Sequence, residues 1–196
     1  MRYFGSFLLL LAAAFFPASL LADTTTVIDF EGFPDSTSLT TQYSGLTFTN
    51  ATIITTGISL NEFEFPPHSG VNVVFDDGGP MSISFATPVL SFGGYFTYLE
   101  PLTLAAFNAT STAVASTTSA FSSNDALFGD PGSSPNEFLE LSFASGISSI
   151  IITGDPLGGS FVLDDAMYTS TVPEPTSLLL LLTSAAGVFA FRKRFL

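Results

Sequence analysis

Away from its two ends the chain alternates. In Thr26-Val-Ile-Asp-Phe-Glu31 the apolar Ile28 and Phe30 fall on one side and Asp29 and Glu31 on the other. That period of two marks a strand with one face buried and one wet. Gly45–Asn50 repeats the pattern with Leu46 and Phe48, Ala51–Thr55 extends it, and Met81-Ser-Ile-Ser-Phe85 alternates throughout. Further runs rich in β-branched and aromatic residues are Val71–Phe75, Val89–Leu99, Leu102–Ala109, Ala113–Thr117, Glu137–Phe143, Ile147–Thr153 and Ser160–Tyr168. Gly, Pro, Asn, Asp and Ser separate them, with long polar loops at Gly32–Ser44, Asn61–Gly70 and Thr118–Pro135. Asp76-Asp77-Gly78-Gly79 is expected to turn Val71–Phe75 back onto Met81–Phe85 as a hairpin. Gly93-Gly94 predicts a bulge or bend in the longest run. No helical period interrupts these strands, so the pattern predicts an all-β fold. An antiparallel β-sandwich of jelly-roll type suits strands spaced by roughly ten residues. A parallel β-helix would need a fixed repeat, and none is present.

The alternation stops at both ends. Residues 1–22 read as a signal peptide, with Arg2 ahead of the apolar stretch Phe7–Phe16 and a cleavage region ending at Ala22. At the other end Val172-Pro-Glu-Pro175 is followed by an uncharged apolar run, residues 176–191, and then by Arg192, Lys193 and Arg194. Sixteen residues at ~1.5 Å each give a helix of roughly 24 Å, enough for a single transmembrane helix with snorkelling flanks. The cations after it favour a cytoplasmic C-terminus and place residues 23–171, one domain's length, outside.

The order of that tail resembles the PEP-CTERM sorting signal of Gram-negative bacteria, with Val172, Pro173, Glu174, Pro175, Arg192, Lys193 and Arg194 as the matching residues. The resemblance implies an exosortase as processing partner, anchoring in the inner membrane, and a final place at the cell surface or in the exopolysaccharide matrix. Residues 23–171 are similar, more weakly, to galactose-binding-like and carbohydrate-binding jelly rolls, through Ile28-Asp-Phe-Glu31, Gly45-Leu-Thr-Phe48 and Phe161-Val-Leu-Asp-Asp165. That resemblance implies that the first and last strands pair and that a structural calcium sits beside them.

Charge sharpens the picture. All four basic residues lie in the end segments, and of the seventeen acidic residues only Glu174 does, so the domain holds sixteen carboxylates and no Lys or Arg. Nothing in it can neutralise phosphates, which excludes nucleic acid as a partner. Clustered carboxylates must be relieved by solvent, by protonation or by a bound cation. The absence of cysteine removes disulfides, thiol catalysis and thiolate metal sites.

If the first and last strands are neighbours, Asp29, Glu31, Asp164 and Asp165 come together as an oxygen-rich candidate calcium site. Asp76 and Asp77 are secondary candidates, in a turn where Asp and Gly are expected anyway. His68, the sole histidine, has no Cys or Lys companion and reads as an exposed loop residue. No nucleophile elbow or phosphate-binding loop is present. Among the rings, Tyr43, Tyr95, Phe96 and Tyr98 are the candidates for exposure, and Tyr95 and Tyr98 for stacking on a sugar face. The expectation is an exported, non-catalytic surface protein that binds extracellular polysaccharide, with calcium as a structural ion. The alternatives are a glycan hydrolase or lyase using paired carboxylates, and a structural coat or adhesive protein.

Overall fold

The computed structural model describes residues 21–173. The expected signal peptide up to residue 20, the apolar run 176–191, and Glu174, Pro175, Arg192, Lys193 and Arg194 lie outside the described residues. Among the described residues no helix is long and apolar enough to cross a membrane.

Nine strands follow one another: β1 (Leu21–Ile28), β2 (Leu46–Thr49), β3 (Ala51–Thr55), β4 (Asn72–Asp76), β5 (Met81–Tyr98), β6 (Thr103–Phe107), β7 (Ala113–Thr118), β8 (Glu137–Thr153) and β9 (Phe161–Pro173). The described residues are all-β, and the strand pairs whose register is resolved are antiparallel. The hydrogen-bonded order is β3-β4-β9-β5-β8-β6-β7, with β1 against β9 and β2 against β5. The first and last strands are therefore neighbours, as the weaker resemblance implies.

Two pairs of runs that read as separate strands are each one long strand. β5 and β8 pair along both halves of their length, with register breaks between Ser84 and Ser91. Below the break β5 is flanked by β2 and β8 by β6; above it β5 is flanked by β9. Gly146, at φ +100°, lies so close to Pro88 that a Cβ would stand 2.9 Å from the proline ring, and this permits the bend. Both halves feed one core, in which Phe92, Phe96, Tyr98, Ile83, Leu104 and Ile150 are at most 1% exposed. Complete burial of such a side chain contributes about 2 kcal/mol.

The expected hairpin between Val71–Phe75 and Met81–Phe85 is not formed. β4 pairs with β3 and β9, while Met81–Phe85 pairs with β2 and β8. Asp76 explains the separation: it is fully buried, and its carboxylate accepts from Ser160 N at 2.9 Å and Phe161 N at 3.0 Å at the start of β9. Its backbone carbonyl accepts from Gly159 N at 2.7 Å. The end of β4 is thus tied to β9, and the Asp-Gly turn becomes a crossing.

The alternation in the first run survives where the strand does not. β1 ends at Ile28, and Phe30 has φ +61°, yet Ile28 and Phe30 are buried and Asp29 and Glu31 exposed. Phe30 packs edge-on against Tyr43 and Phe48. This contact fixes where Glu31 leaves the core.

Candidate functional site

The loop before β4 is held from two sides by carboxylates. Glu31 reaches across Gly70 and accepts from Val71 N and Asn72 N, each at 2.8 Å. Gly70 stands at φ +55°, and any Cβ there would run into the Glu31 carboxylate. On the other side Asp164 of β9 accepts from Ser69 N at 2.9 Å and from Asp165 N at 2.7 Å. Asp165 accepts from Ser69 Oγ at 3.0 Å and meets His68 Nδ1 at 2.7 Å. Three of the four carboxylates singled out in the sequence, Glu31, Asp164 and Asp165, thus converge on one segment, His68–Asn72.

The four carboxylates do not close into one cluster in this structure. Among the described residues no group of three or more His, Asp or Glu side chains stands where it could hold a metal ion. The oxygens are turned onto peptide N–H groups, a hydroxyl and an imidazole, and Asp29 accepts only from Glu31 N, at 3.2 Å. The secondary pair diverges as well: Asp76 faces the start of β9, whereas exposed Asp77 accepts from Thr52 Oγ1 at 3.0 Å. In a domain without Lys or Arg, the backbone supplies the compensating dipoles. Protonation supplies part of the rest. Burial, helped by the charge of Asp165 and opposed by the Ser69 N–H, pushes the Asp164 carboxyl up to about 6. Burial likewise raises Asp76, against the hydrogen bonds that favour its charged form.

Asp165 sits at a break in the sheet. Between the pairs Gly93–Met167 and Tyr95–Asp164, β5 advances two residues and β9 three. The extra residue is a β-bulge, and Asp165 takes φ +44° within it. Left-handed backbone at a non-glycine residue costs of order 1 kcal/mol and persists where its surroundings hold it. Here His68 and Ser69 do so, and the bulge turns the Asp165 carboxylate out of the ladder.

Beside it lies a row of rings from β5, β8 and the loop before β4. Tyr95 on β5 is paired with Asp164 on β9 and with Phe138 on β8. The His68 imidazole lies on the Tyr95 ring with centroids 3.4 Å apart and planes 8° from parallel. The Phe138 ring follows at 5.2 Å from that of Tyr95. Gly93, whose Cβ would stand 3.1 Å from Phe138 Cζ, leaves room for that ring. Phe138 is 41% exposed, and the side chains of His68 and Asp165 are 36% and 14% exposed. The result is a row of rings exposed at His68 and Phe138, with half-buried Tyr95 between them, edged by a carboxylate that is anchored on both oxygens.

Tyr95 belongs to this strip; Tyr98 does not. Tyr98 is fully buried, its hydroxyl donates to Glu137, and burial together with that bond pushes its pKa up to about 12. Phe96 is also fully buried, and Tyr43 is packed against the core. His68 is the exposed loop residue expected, and Tyr95 and Asp165 both hold its ring. Phe138 is not among the rings expected to be exposed, although strict alternation places it with Glu140 and Ser142, opposite Leu139 and Leu141. That parity was the available signal. Nothing local marked His68, whose partner Asp165 is 97 residues away.

Residues 171–194 match the model of the PEP-CTERM protein-sorting motif. The chain therefore carries a PEP-CTERM sorting motif, at the position where the tail pattern predicts it. No curated protein matches the chain. Among solved structures it is similar to the K1 cleaved adhesin domain of Lys-gingipain from Porphyromonas gingivalis, at 9% identity and a TM-score of 0.45, over 75% of this chain and 98% of that one. It is also similar to the K2 adhesin domain of Lys-gingipain, at 14% identity and a TM-score of 0.42, over 75% and 99%. A variant family 29 carbohydrate-binding module complexed with cellulohexaose shows 13% identity and a TM-score of 0.41, over 76% and 92%.

Proposed function

We propose that residues 23–171 form an exported, non-catalytic glycan-binding domain, handed to an exosortase through its PEP-CTERM motif and displayed at the cell surface or in the exopolysaccharide matrix. The ligand lies along Phe138, Tyr95 and His68, with its polar groups toward Asp165. The observation that carries this reading is the row of three rings on neighbouring elements, exposed at His68 and Phe138 and ended by a carboxylate at a strained bulge. Flat rings stack on the apolar faces of pyranoses, and an anchored carboxylate accepts from sugar hydroxyls at little entropic cost. A catalytic reading needs a carboxylate free to move a proton on the substrate, and those beside the rings are engaged by the loop. The sandwich core serves as the rigid support for this strip.

The test is calorimetric titration of the recombinant domain with soluble oligosaccharides, and affinity electrophoresis through gels cast with polysaccharides. Binding should be weakened about five- to thirtyfold in Phe138→Ala, since stacking of one ring contributes ~1–2 kcal/mol. Binding that is unchanged in both Phe138→Ala and His68→Ala would place the ligand elsewhere. No binding to any glycan would leave the coat-protein alternative.

A further inference from the structure

Sixteen carboxylates and the complete absence of Lys and Arg from residues 23–171 constrain any polymer that reaches the ring strip. Uronic-acid or sulfated glycans would approach a surface of their own sign, with no guanidinium or ammonium group to receive them. At the strip itself the only group able to carry positive charge is His68, and it already faces Asp165. The fixed polar groups are acceptors. Asp165 Oδ1 holds Ser69 Oγ and Oδ2 holds His68 Nδ1, one partner each, and a carboxylate oxygen can accept a second. Resting on the glycan-binding reading above, we propose that the ligand is an amine-bearing glycan, a polymer of amino sugars at least partly free of N-acyl groups. Its ammonium lies against Asp165 while its pyranose rings stack on Phe138.

Three features favour an ammonium over a neutral hydroxyl. An N–H donor that is itself charged makes a shorter and stronger bond to a carboxylate than a hydroxyl does. A cation beside Asp165 relieves the repulsion between two adjacent acidic residues, one of which is almost wholly buried. The exposed face of Phe138 attracts a cation as well as a sugar face. The rest of the acidic domain raises the local concentration of a polycation and speeds its arrival, an effect that salt weakens.

The experiment titrates the domain, in EDTA at pH 5.5, with three hexasaccharides: glucosamine, cellohexaose and galacturonate. Titrations run at about 20 mM and 150 mM salt, a range over which screening of exposed charges changes markedly. The glucosamine hexamer should bind at least about tenfold more tightly than cellohexaose at the higher salt, the ratio expected of one charge-assisted bond. Galacturonate should not bind. Asp165→Asn should bring the glucosamine hexamer down to the level of cellohexaose, and Phe138→Ala should weaken both. Melting curves of each variant separate loss of the site from loss of the fold. Tighter binding of cellohexaose or galacturonate would overturn the amine assignment and leave the glycan site standing. A preference that survives both Asp165→Asn and Phe138→Ala would also overturn it, as attraction to the acidic surface at large. Silence toward all three hexamers would overturn the glycan reading itself.

Discussion

The imidazole of His68 rests on the phenol ring of Tyr95 at van der Waals distance, with the rings nearly parallel. The contact joins a loop to the centre of a sheet, across a sequence separation that no local signal bridges. Tyr95→Phe preserves the ring and should leave stability within ~0.5 kcal/mol of the parent, whereas Tyr95→Ala should cost ~1–2 kcal/mol. The clearer readout is the NMR shift of the His68 ring protons. Stacking should move them upfield in the parent and in Tyr95→Phe, and Tyr95→Ala should return them toward free histidine values. An unchanged shift in Tyr95→Ala would mean that the stack does not form in solution.

Asp164 gives the domain an unusual response to acid. Its carboxyl is pushed from 3.8 to about 6 in the folded protein, so over that interval the folded state binds more protons than the unfolded one. Stability then rises as the pH falls. The contribution is complete below the unfolded value and is lost as the pH climbs through the folded one. Because a shift of one unit corresponds to 1.36 kcal/mol, the gain from pH 7.5 to pH 4 is on the order of 2 kcal/mol. Buried Asp76, also raised, adds in the same direction. Melting temperatures measured between pH 4 and pH 8 should increase toward pH 4, and Asp164→Asn should flatten the slope. A parent protein that melts earlier at pH 5 than at pH 7.5 would sink this assignment.

The strand positions and most of the core were legible because a half-buried strand writes its burial into the parity of its residues. Leu46, Phe48, Met81 and Ile83 are buried as that parity requires. Connectivity was not written there. The turn residues Asp76 to Gly79 suit a hairpin, and only the buried bonds from Asp76 to Ser160 and Phe161 decide otherwise. Of the acidic residues that the pattern singles out, Glu31, Asp164 and Asp165 do meet at one segment. The backbone donors that reach them could not be foreseen, because peptide N–H groups leave no trace in composition and a surplus of carboxylates points only to a cation. The site rings divide in the same way: Tyr95 was found, while Phe138 was hidden by its apolar neighbours in β8.

The same geometry sets an expectation for calcium. Glu31, Asp164 and Asp165 already accept from Val71, Asn72, Ser69 and His68. An ion would have to displace those donors before gaining its six to eight oxygens. Calcium at millimolar concentration is therefore expected to shift the melting temperature no more than sodium at equal ionic strength, and EDTA should have no effect. A saturating, calcium-specific rise would show ligand-linked stabilisation and return these carboxylates to the role of ligands.

Gly70 should tolerate no side chain. Its φ of +55° is unfavourable for an L residue, and a Cβ would strike the Glu31 carboxylate that receives Val71 N and Asn72 N. Gly70→Ala should cost ~2–3 kcal/mol through strain and the two unpaired amides. Glu31→Gln keeps one acceptor oxygen in place and should cost less, ~1 kcal/mol. Urea unfolding measures both. If Gly70→Ala proved the milder change, Glu31 would not be what holds the loop.

Asp76 offers the most severe test of the idea that backbone donors stand in for cations. Its carboxylate is fully buried and receives Ser160 N, Ser160 Oγ and Phe161 N, so that β4 and β9 are joined through one side chain. Asp76→Ala abandons all three donors in a place water does not reach, and each buried unpaired group costs ~1–3 kcal/mol. A total of ~3–5 kcal/mol is expected, close to the whole stability of many domains. Asp76→Asn retains one acceptor oxygen and avoids placing a charge in the core, so it should fall between the parent and Asp76→Ala. Its neighbour Asp77, exposed and bonded only to Thr52 Oγ1, is the control, with Asp77→Ala within ~0.5 kcal/mol of the parent. Equal losses at Asp76→Ala and Asp77→Ala would show that the bonds at the start of β9 contribute nothing. The ordering parent, Asp76→Asn, Asp76→Ala would place the carboxylate among the groups that keep β4 out of the hairpin its sequence favours.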